Sequence, residues 1–284
     1  MSEAVFDAFK DCVKLLPFLF LTYLAMEYIE HKAGSKMQGM IQRSGRFGPV
    51  LGSILGAFPQ CGFSAAASNL YAGRIVTIGT LMAVYLSTSD EMLPVLISEN
   101  AGIGMILKIL CVKVGIGILA GFVIDMTVNR SAGTKRRELE ISHLCEHEHC
   151  RCEEGIVKSA LRHTVEIFIY ILLISLVLNI VIALVGEEAL AGLFLNKPVI
   201  GELTAGVIGL IPNCASSVVL TQLYLEGVMS AGAMLSGLLA GSGIGIAVLC
   251  RVNDRRRENI KIILLLYGIG VISGIIIEAL GIVF

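Results

Sequence analysis

The sequence predicts an all-α polytopic membrane protein built from two inverted-topology repeats. Apolar residues make up 55% of the 284-residue chain and charged residues only 16%, a composition unlike that of soluble proteins. Several apolar runs approach or exceed the roughly 20 helical residues that cross a bilayer core. A motif of the first half also returns in the second half, and a fixed-distance return indicates an internal repeat.

The repeated motif reads GAFPQCGFS at 56–64 and GLIPNCASS at 209–217, an offset of 153 residues. Both copies contain Pro-x-Cys-x-x-Ser, and Leu-Tyr follows each copy at the same distance. The alignment continues without a gap to Asp125 and Glu278. We therefore divide the chain into a first transmembrane repeat (1–125), a linker (126–158) and a second transmembrane repeat (159–284).

Each half contains three long apolar runs that we interpret as spans: Val13–Ile29, Ile75–Ile97, Ile103–Ile124, Val165–Val185, Val228–Cys250 and Ile260–Phe284. Lys and Arg are concentrated in three connecting segments, with four in 31–48, seven in 126–163 and five in 250–261. The positive-inside rule places these segments in the cytoplasm. Counting spans from that assignment gives the halves opposite orientations. The N-terminal run lacks a signal-peptide pattern, so we expect the first helix to remain as a span of a multi-pass membrane protein.

Two short apolar pieces flank each Pro-x-Cys motif, at 49–58 and 63–71 and again at 199–211 and 216–225. Ten helical residues cover only about 15 Å, so neither piece reaches across a bilayer alone. Proline cannot continue a preceding helix, and each pair is expected to form a hairpin with the broken helix at its tip. The alternative is that each piece is a thin tilted span. Either way the chain has about ten helical segments, and inverted repeats with broken helices are typical of secondary transporters.

The repeat register also identifies a candidate transport site. The segment Ser87-Thr88-Ser89-Asp90-Glu91 pairs with residues 240–244, which lie inside a long apolar run. Carboxylates within a membrane are costly and therefore point to function, although an external turn is the alternative for this segment. The residues expected at the site come from this segment and from the hairpin tips: Asp90, Glu91, Thr88, Ser89, Gln60, Cys61, Ser64, Asn213, Cys214 and Ser217.

The ligand types at this site leave the substrate open. Carboxylate, hydroxyl and amide oxygens suit Mn²⁺ and other hard cations, whereas paired thiolates suit soft metals and trivalent arsenic. Either carboxylate is also a candidate proton carrier. No resident cofactor is expected, only the transported metal ion, with proton coupling as one option.

The linker holds a second candidate metal site. Three of the five His and three of the eight Cys of the chain lie within ten residues: His143, Cys145, His147, His149, Cys150 and Cys152. Short His- and Cys-rich tracts bind soft or borderline metals. The spacing matches no defined zinc module, so we interpret the tract as a capture or sensing site. A charged linker that only aids solubility is the alternative.

Together, the chain length, the doubled Pro-x-Cys-x-x-Ser motif, the Ser-Thr-Ser-Asp-Glu segment and the His/Cys-rich linker resemble a family of ten-span heavy-metal exporters. Members of that family in bacteria and archaea are called arsenic-efflux or manganese transporters. The resemblance covers nearly the whole chain. It implies an inner-membrane efflux permease for a metal or metalloid.

We therefore expect a secondary-active transporter that exports Mn²⁺ or an arsenic species between the two hairpin tips. An organic-solute or anion permease is the alternative, because helix N-termini at both tips would favour an anion. No enzymatic activity is expected, since no His of the spans lies beside Cys61 or Cys214 to activate a thiol. The chain has no phosphate-binding loop of the Gly-x-x-x-x-Gly-Lys-Ser/Thr type. The expected partners are the lipid bilayer and the metal, with no nucleic acid and with a homodimer as one option.

Overall fold

The computed structural model describes residues 47–59, 62–90, 92–131, 199–213 and 215–284. It also describes some helical residues, but not continuous helices, between Val13 and Leu24 and between Val157 and Leu176. The regular elements of these residues are helices, and no strand occurs among them. The predicted all-α fold class is therefore confirmed.

Ten helices have defined bounds in the described stretches, five before the linker and five after it. The first group consists of α1 Gly48–Gly56, α2 Gly62–Ala72, α3 Ile78–Ser87, α4 Met92–Ser98 and α5 Ile103–Ser131. The second group consists of α6 Ile200–Gly209, α7 Ala215–Leu225, α8 Ala231–Ala240, α9 Gly245–Val252 and α10 Arg256–Ala279.

The helix starts follow the register of the sequence repeat. Four of the five matched helices start 153 residues apart, and α1 and α6 start 152 residues apart. Both helices that follow the motif, α2 and α7, begin one residue after its cysteine. The same local signals therefore set the same boundaries in both halves.

Side-chain caps at the starts of α3 and α8 illustrate this local determination. The Thr77 hydroxyl accepts a hydrogen bond from the amide of Thr80 at 3.0 Å. The Ser230 hydroxyl accepts one from the amide of Ala233 at 3.2 Å. A hydroxyl at this position satisfies one of the amides that a helix start leaves without an intrahelical partner.

A carboxylate from the neighbouring long helix completes each cap. Asp125 of α5 accepts from the amide of Gly79 at 3.0 Å, and Glu278 of α10 accepts from the amide of Gly232 at 3.0 Å. A negative charge at a helix N-terminus is favourable because the free amides carry partial positive charge. Asp125 and Glu278 are also the last pair of the sequence alignment, so the register extends to equivalent contacts.

Glycines bring the long helices into backbone contact with α3 and α8. A Cβ placed on Gly121 would lie 2.7 Å from the carbonyl oxygen of Gly79, and one placed on Gly274 would lie 2.5 Å from that of Gly232. Small residues allow this close approach of helices. The Gly-x-x-x-Gly patterns at 117–121 and 270–274 therefore serve packing.

The two groups of helices pack against each other. Helix α2 packs against α9, and α7 packs against α4, so the second helix of each group contacts the fourth helix of the other. Polar contacts reinforce the first of these pairs. The hydroxyls of Ser68 and Tyr85 lie 2.6 Å apart, and both are within hydrogen-bonding distance of the carbonyl oxygen of Gly245, at 2.8 and 3.1 Å.

An ionic cluster joins α2 to α10 at one end of the molecule. Tyr71 donates a hydrogen bond to Glu258 at 2.6 Å, and the Arg74 guanidinium forms a salt bridge with the same carboxylate at 3.0 Å. The repeat equivalents of Tyr71 and Arg74 are Tyr224 and Gly227, and these two residues line a cavity of about 380 Å³. The two ends of the molecule are therefore built differently.

Within the part of the chain that the structure describes, three helical segments are long and apolar enough to cross a membrane: Ile103–Thr127, Ala231–Val252 and Arg256–Ala279. The second segment contains both α8 and α9, and the helix is interrupted at 241–244. The predicted span 75–97 is likewise divided into α3 and α4. The predicted spans 13–29 and 165–185 fall largely outside the described residues, and the division into 1–125, 126–158 and 159–284 stays a prediction.

Replacing Gly79 or Gly232 by Ala should destabilise the protein, whereas Gly115→Ala and Gly268→Ala should not. A Cβ on Gly79 would overlap the carbonyl oxygen of Gly121, and one on Gly232 would lie 2.6 Å from the next helix. Overpacking of this kind costs about 1–3 kcal/mol. The controls are a repeat-related pair whose Cβ would meet nothing within 4 Å. Melting temperatures in detergent measure the effect, and equal values for all four variants would contradict the close packing.

Candidate functional site

Two interrupted helices meet at the centre of the structure. The first interruption separates α3 from α4 and includes Thr88, Ser89 and Asp90, and the second separates α8 from α9. Asp90 and Gly243 are repeat equivalents, and both adopt positive φ angles, of 26° and 53°. A Cβ on Gly243 would overlap the Asp90 carboxylate. The carboxylate therefore lies directly against the backbone of the opposite interruption, where only glycine leaves room for it.

The first interruption is held against the end of α1. The amide of Ser89 donates to the carbonyl oxygen of Gly56 at 3.3 Å, and its hydroxyl donates to that of Ala57 at 2.5 Å. Gly56 fits closely here, because a Cβ would lie 2.5 Å from the carbonyl oxygen of Val84. The start of the Pro-x-Cys connection is thus fixed against the segment that carries Asp90.

A small cavity of about 10 Å³ lies between the two interruptions. That volume holds about one water-sized particle. Both halves of the chain line the cavity, and the lining polar side chains are Thr88, Ser89, Asp90, Asn213, Ser216 and Ser217. These side chains offer one carboxylate, four hydroxyls and one amide, which are the oxygen ligands that hard cations prefer.

Ser242 adds an unused polar group beside this cavity. Its side chain is 1% exposed, and its hydroxyl has no hydrogen-bond partner among the described residues. The neighbouring residues Gly241 and Gly243 line the cavity. A buried hydroxyl without a partner is costly, so this position favours a ligand or water that would satisfy it.

Lys113 of α5 lies behind the cavity with only 1% of its surface exposed. Its ammonium donates to the carbonyl oxygen of Thr88 and, at 2.9 Å, to that of Leu238. One buried cation therefore connects the interrupted helices of the two halves.

Five of the predicted site residues line the same cavity: Thr88, Ser89, Asp90, Asn213 and Ser217. Ser64 is buried elsewhere, in α2 against Gly245, where its carbonyl oxygen accepts from Ser68. The remaining predicted residues lie outside the described residues: Gln60, Cys61, Glu91, Cys214, His143, Cys145, His147, His149, Cys150 and Cys152. Within the described stretches no three His, Cys, Asp or Glu side chains come together.

Sequence reasoning missed Lys113, Ser216 and the close fit of Gly243. Lys113 had a usable signal, because it is a basic residue well inside the apolar run 103–124. Ionisable residues in such a position are rare and point to function. The sequence signal for Gly243 is weaker: it is the residue that aligns with Asp90 in the repeat.

Gly243→Ala should displace the Asp90 carboxylate and abolish cation binding, whereas Gly227→Ala should leave binding intact. Both glycines have positive φ angles, of 53° and 73°, so both substitutions strain the backbone by a similar amount. Only the Gly243 variant adds a clash with Asp90, since a Cβ on Gly227 meets nothing within 4 Å. Isothermal titration with Mn²⁺ compares them, and equal binding would show that the contact with Gly243 does not position the carboxylate.

Comparison with known proteins gives one family. The ArsP_2 family model, described as "Putative, 10TM heavy-metal exporter", matches residues 1–201. No curated protein and no solved structure matches the chain. The match covers the Pro-x-Cys motif of the first half and the whole interruption that carries Asp90. The chain thus belongs to the ArsP_2 family.

Proposed function

We propose that the protein is a secondary transporter that exports a divalent metal cation through the cavity between the two interrupted helices. The observation that carries this proposal is the set of oxygen-bearing side chains that, among the described residues, line that cavity around the buried Asp90 carboxylate. A single carboxylate with neutral oxygens leaves a bound dication only partly neutralised, so the dication is held without being trapped. Such binding suits a carrier, which has to release its substrate. Among the heavy metals this ligand set favours Mn²⁺.

The architecture proposed for this transport is a pair of inverted repeats with hairpins that carry the Pro-x-Cys motifs. The common register of the helix starts and the reciprocal packing of α2 on α9 and α7 on α4 support it. In such folds substrate sites lie where broken helices meet, and one repeat moves against the other. The described basic segment 250–261 has exposed Arg and Lys side chains, which supports a cytoplasmic position for it in the inner membrane.

Export of arsenic or another soft species is a second candidate. Cys61 and Cys214 immediately precede α2 and α7, and the neighbouring Asn213 lines the cavity. Thiolates at both positions would supply soft ligands that the described lining lacks. The His/Cys-rich linker would then act as a capture segment on the cytoplasmic side. An anion permease is less well supported, because Asp90 would repel an anion from the same cavity.

Asp90→Asn should lower Mn²⁺ transport by at least roughly tenfold, the equivalent of losing ~1.4 kcal/mol of binding. The amide keeps the size of the side chain but removes the charge that a dication needs. Transport into proteoliposomes measures the effect, with Asp254→Asn as the control because Asp254 is exposed. If the Asp90 variant transports Mn²⁺ at the wild-type rate, Asp90 has only a structural role in the turn, and the anion permease becomes the better proposal.

Cys61→Ser and Cys214→Ser should separate the two substrate candidates. A transporter built on oxygen ligands should keep its Mn²⁺ flux, whereas a soft-metal or arsenic exporter should lose most activity when thiolate becomes hydroxyl. Matched controls are Cys111→Ser and Cys250→Ser, because both cysteines are exposed. Flux of Mn²⁺, Cd²⁺ and arsenite in the same vesicles decides between the outcomes. Loss of Mn²⁺ flux in the Cys61 and Cys214 variants alone would contradict the oxygen-ligand proposal.

A further inference from the structure

The two ends of the molecule can be compared position by position through the repeat. At the end that carries the basic segment 250–261, Tyr71 and Arg74 contact the Glu258 carboxylate. The repeat equivalents of these three residues are Tyr224, Gly227 and Met105. All three equivalents line the cavity of about 380 Å³ at the other end. The same three positions therefore form a closed contact at one end and an open cavity at the other.

The contact at the basic end joins the two halves through one carboxylate. The Arg74 guanidinium donates to both oxygens of Glu258, at 3.2 and 3.0 Å. The Tyr71 hydroxyl donates to one of these oxygens at 2.6 Å. Tyr71 lies near the end of α2, whereas Glu258 lies in the first turn of α10. A bidentate pair of arginine and carboxylate adds a fixed geometry to its charge. The first half is therefore held against the second at this end.

Tyr224, at the other end, is held within its own half. Its hydroxyl donates to the carbonyl oxygen of Phe284 and accepts from the amide of the same residue, both at 3.2 Å. Gly227 and Met105 carry no charge, so these positions cannot form the equivalent ion pair. Met105 comes from the first half, and the other residues that line the cavity come from the second. The cavity thus lies between the two halves.

Helix α7 connects this cavity with the candidate site. Leu220 lines the small central cavity, and Tyr224 lines the larger one, one turn later on the same helix. In the first half, α2 begins just after its motif and ends at Ala72, beside the ionic cluster. Repeat-related helices therefore lead from the centre to a cavity at one end and to a salt bridge at the other.

We propose that the cluster of Tyr71, Arg74 and Glu258 is the cytoplasmic gate of the transporter, and that the cavity beside Tyr224 is the open vestibule on the opposite side. This proposal rests on the proposed function. Inverted repeats give access to each side in turn by moving one repeat against the other around a fixed site. The cluster has to separate before a metal can reach the site from the basic end. The same movement narrows the vestibule.

Hydrogen exchange in detergent tests the gate without requiring transport. It compares a gate segment, 71–76, with a vestibule segment, 224–231. Arg74→Gln and Glu258→Gln each remove the ion pair, so exchange should rise in the gate segment and fall in the vestibule segment. Arg257→Gln, which removes an exposed charge from the same turn of α10, should behave like the wild type. Loss of a merely structural contact would raise exchange in the gate segment alone, and that result would overturn the proposal.

An ion pair transferred to the other end gives the complementary test. Gly227→Arg combined with Met105→Glu places the missing pair beside Tyr224. The backbone accepts an arginine there, because Gly227 has a φ of 73° and Arg74 already adopts 60° at the equivalent position. The double variant should protect the vestibule segment, increase exchange in the gate segment and lose Mn²⁺ flux in proteoliposomes. The two single variants should show neither change in exchange.

The two measurements separate this proposal from the proposed function. If the wild type does not transport Mn²⁺, the proposed function fails, and the exchange pattern still decides whether the cluster is a gate. If the wild type transports Mn²⁺ but the double variant keeps the exchange pattern of the wild type, the two ends do not open in turn and the gate proposal is overturned.

Discussion

Helices that stop inside a protein leave backbone groups that must find partners, and this constraint governs the centre of the structure. The interruption after α3 satisfies its groups locally and across the fold. The amide of Ser89 reaches the end of α1, and the carbonyl of Thr88 reaches Lys113. The interruption after α8 uses the same ammonium through Leu238. Because these partners come from different helices, their contacts fix the shape of the cavity between the interruptions.

The repeat accounts for the scaffold, whereas the candidate chemistry lies where the two halves differ. Helix starts, caps and glycine contacts recur in the same register. Asp90, by contrast, faces its own repeat equivalent Gly243, and Lys113 corresponds to Leu266. Two carboxylates meeting at the same point would repel each other, and the exchange of one of them for glycine avoids that cost. Among the described residues, the centre therefore combines one buried acid from the first interruption with one buried base from α5.

Much of the fold could be predicted from the sequence because its determinants are local. Helix boundaries and packing depend on short patterns: the Pro-x-Cys motif, the Thr or Ser caps and Gly-x-x-x-Gly. The repeat register then identified Asp90 as a candidate site residue. Contacts between distant helices were harder. The carbonyls that Lys113 reaches depend on how α5 and α8 pack, and no local pattern encodes that. Ser64 and Ser217 occupy equivalent motif positions, yet only Ser217 lines the cavity, because α2 turns its Ser64 face toward Gly245 in α9.

The two ends of the molecule carry the same asymmetry as its centre. Arg74, Tyr71 and Glu258 join the halves by an ionic cluster at the end that carries the basic segment 250–261. At the equivalent place in the second half, Tyr224 contacts the backbone of Phe284 and lines the larger cavity. The Arg74 guanidinium binds both oxygens of the Glu258 carboxylate, and the Arg74 side chain is only 8% exposed, so this pair contributes more than the roughly 1 kcal/mol or less of a surface ion pair. The two halves are therefore joined by charge at the basic end, whereas the opposite end leaves a cavity of about 380 Å³.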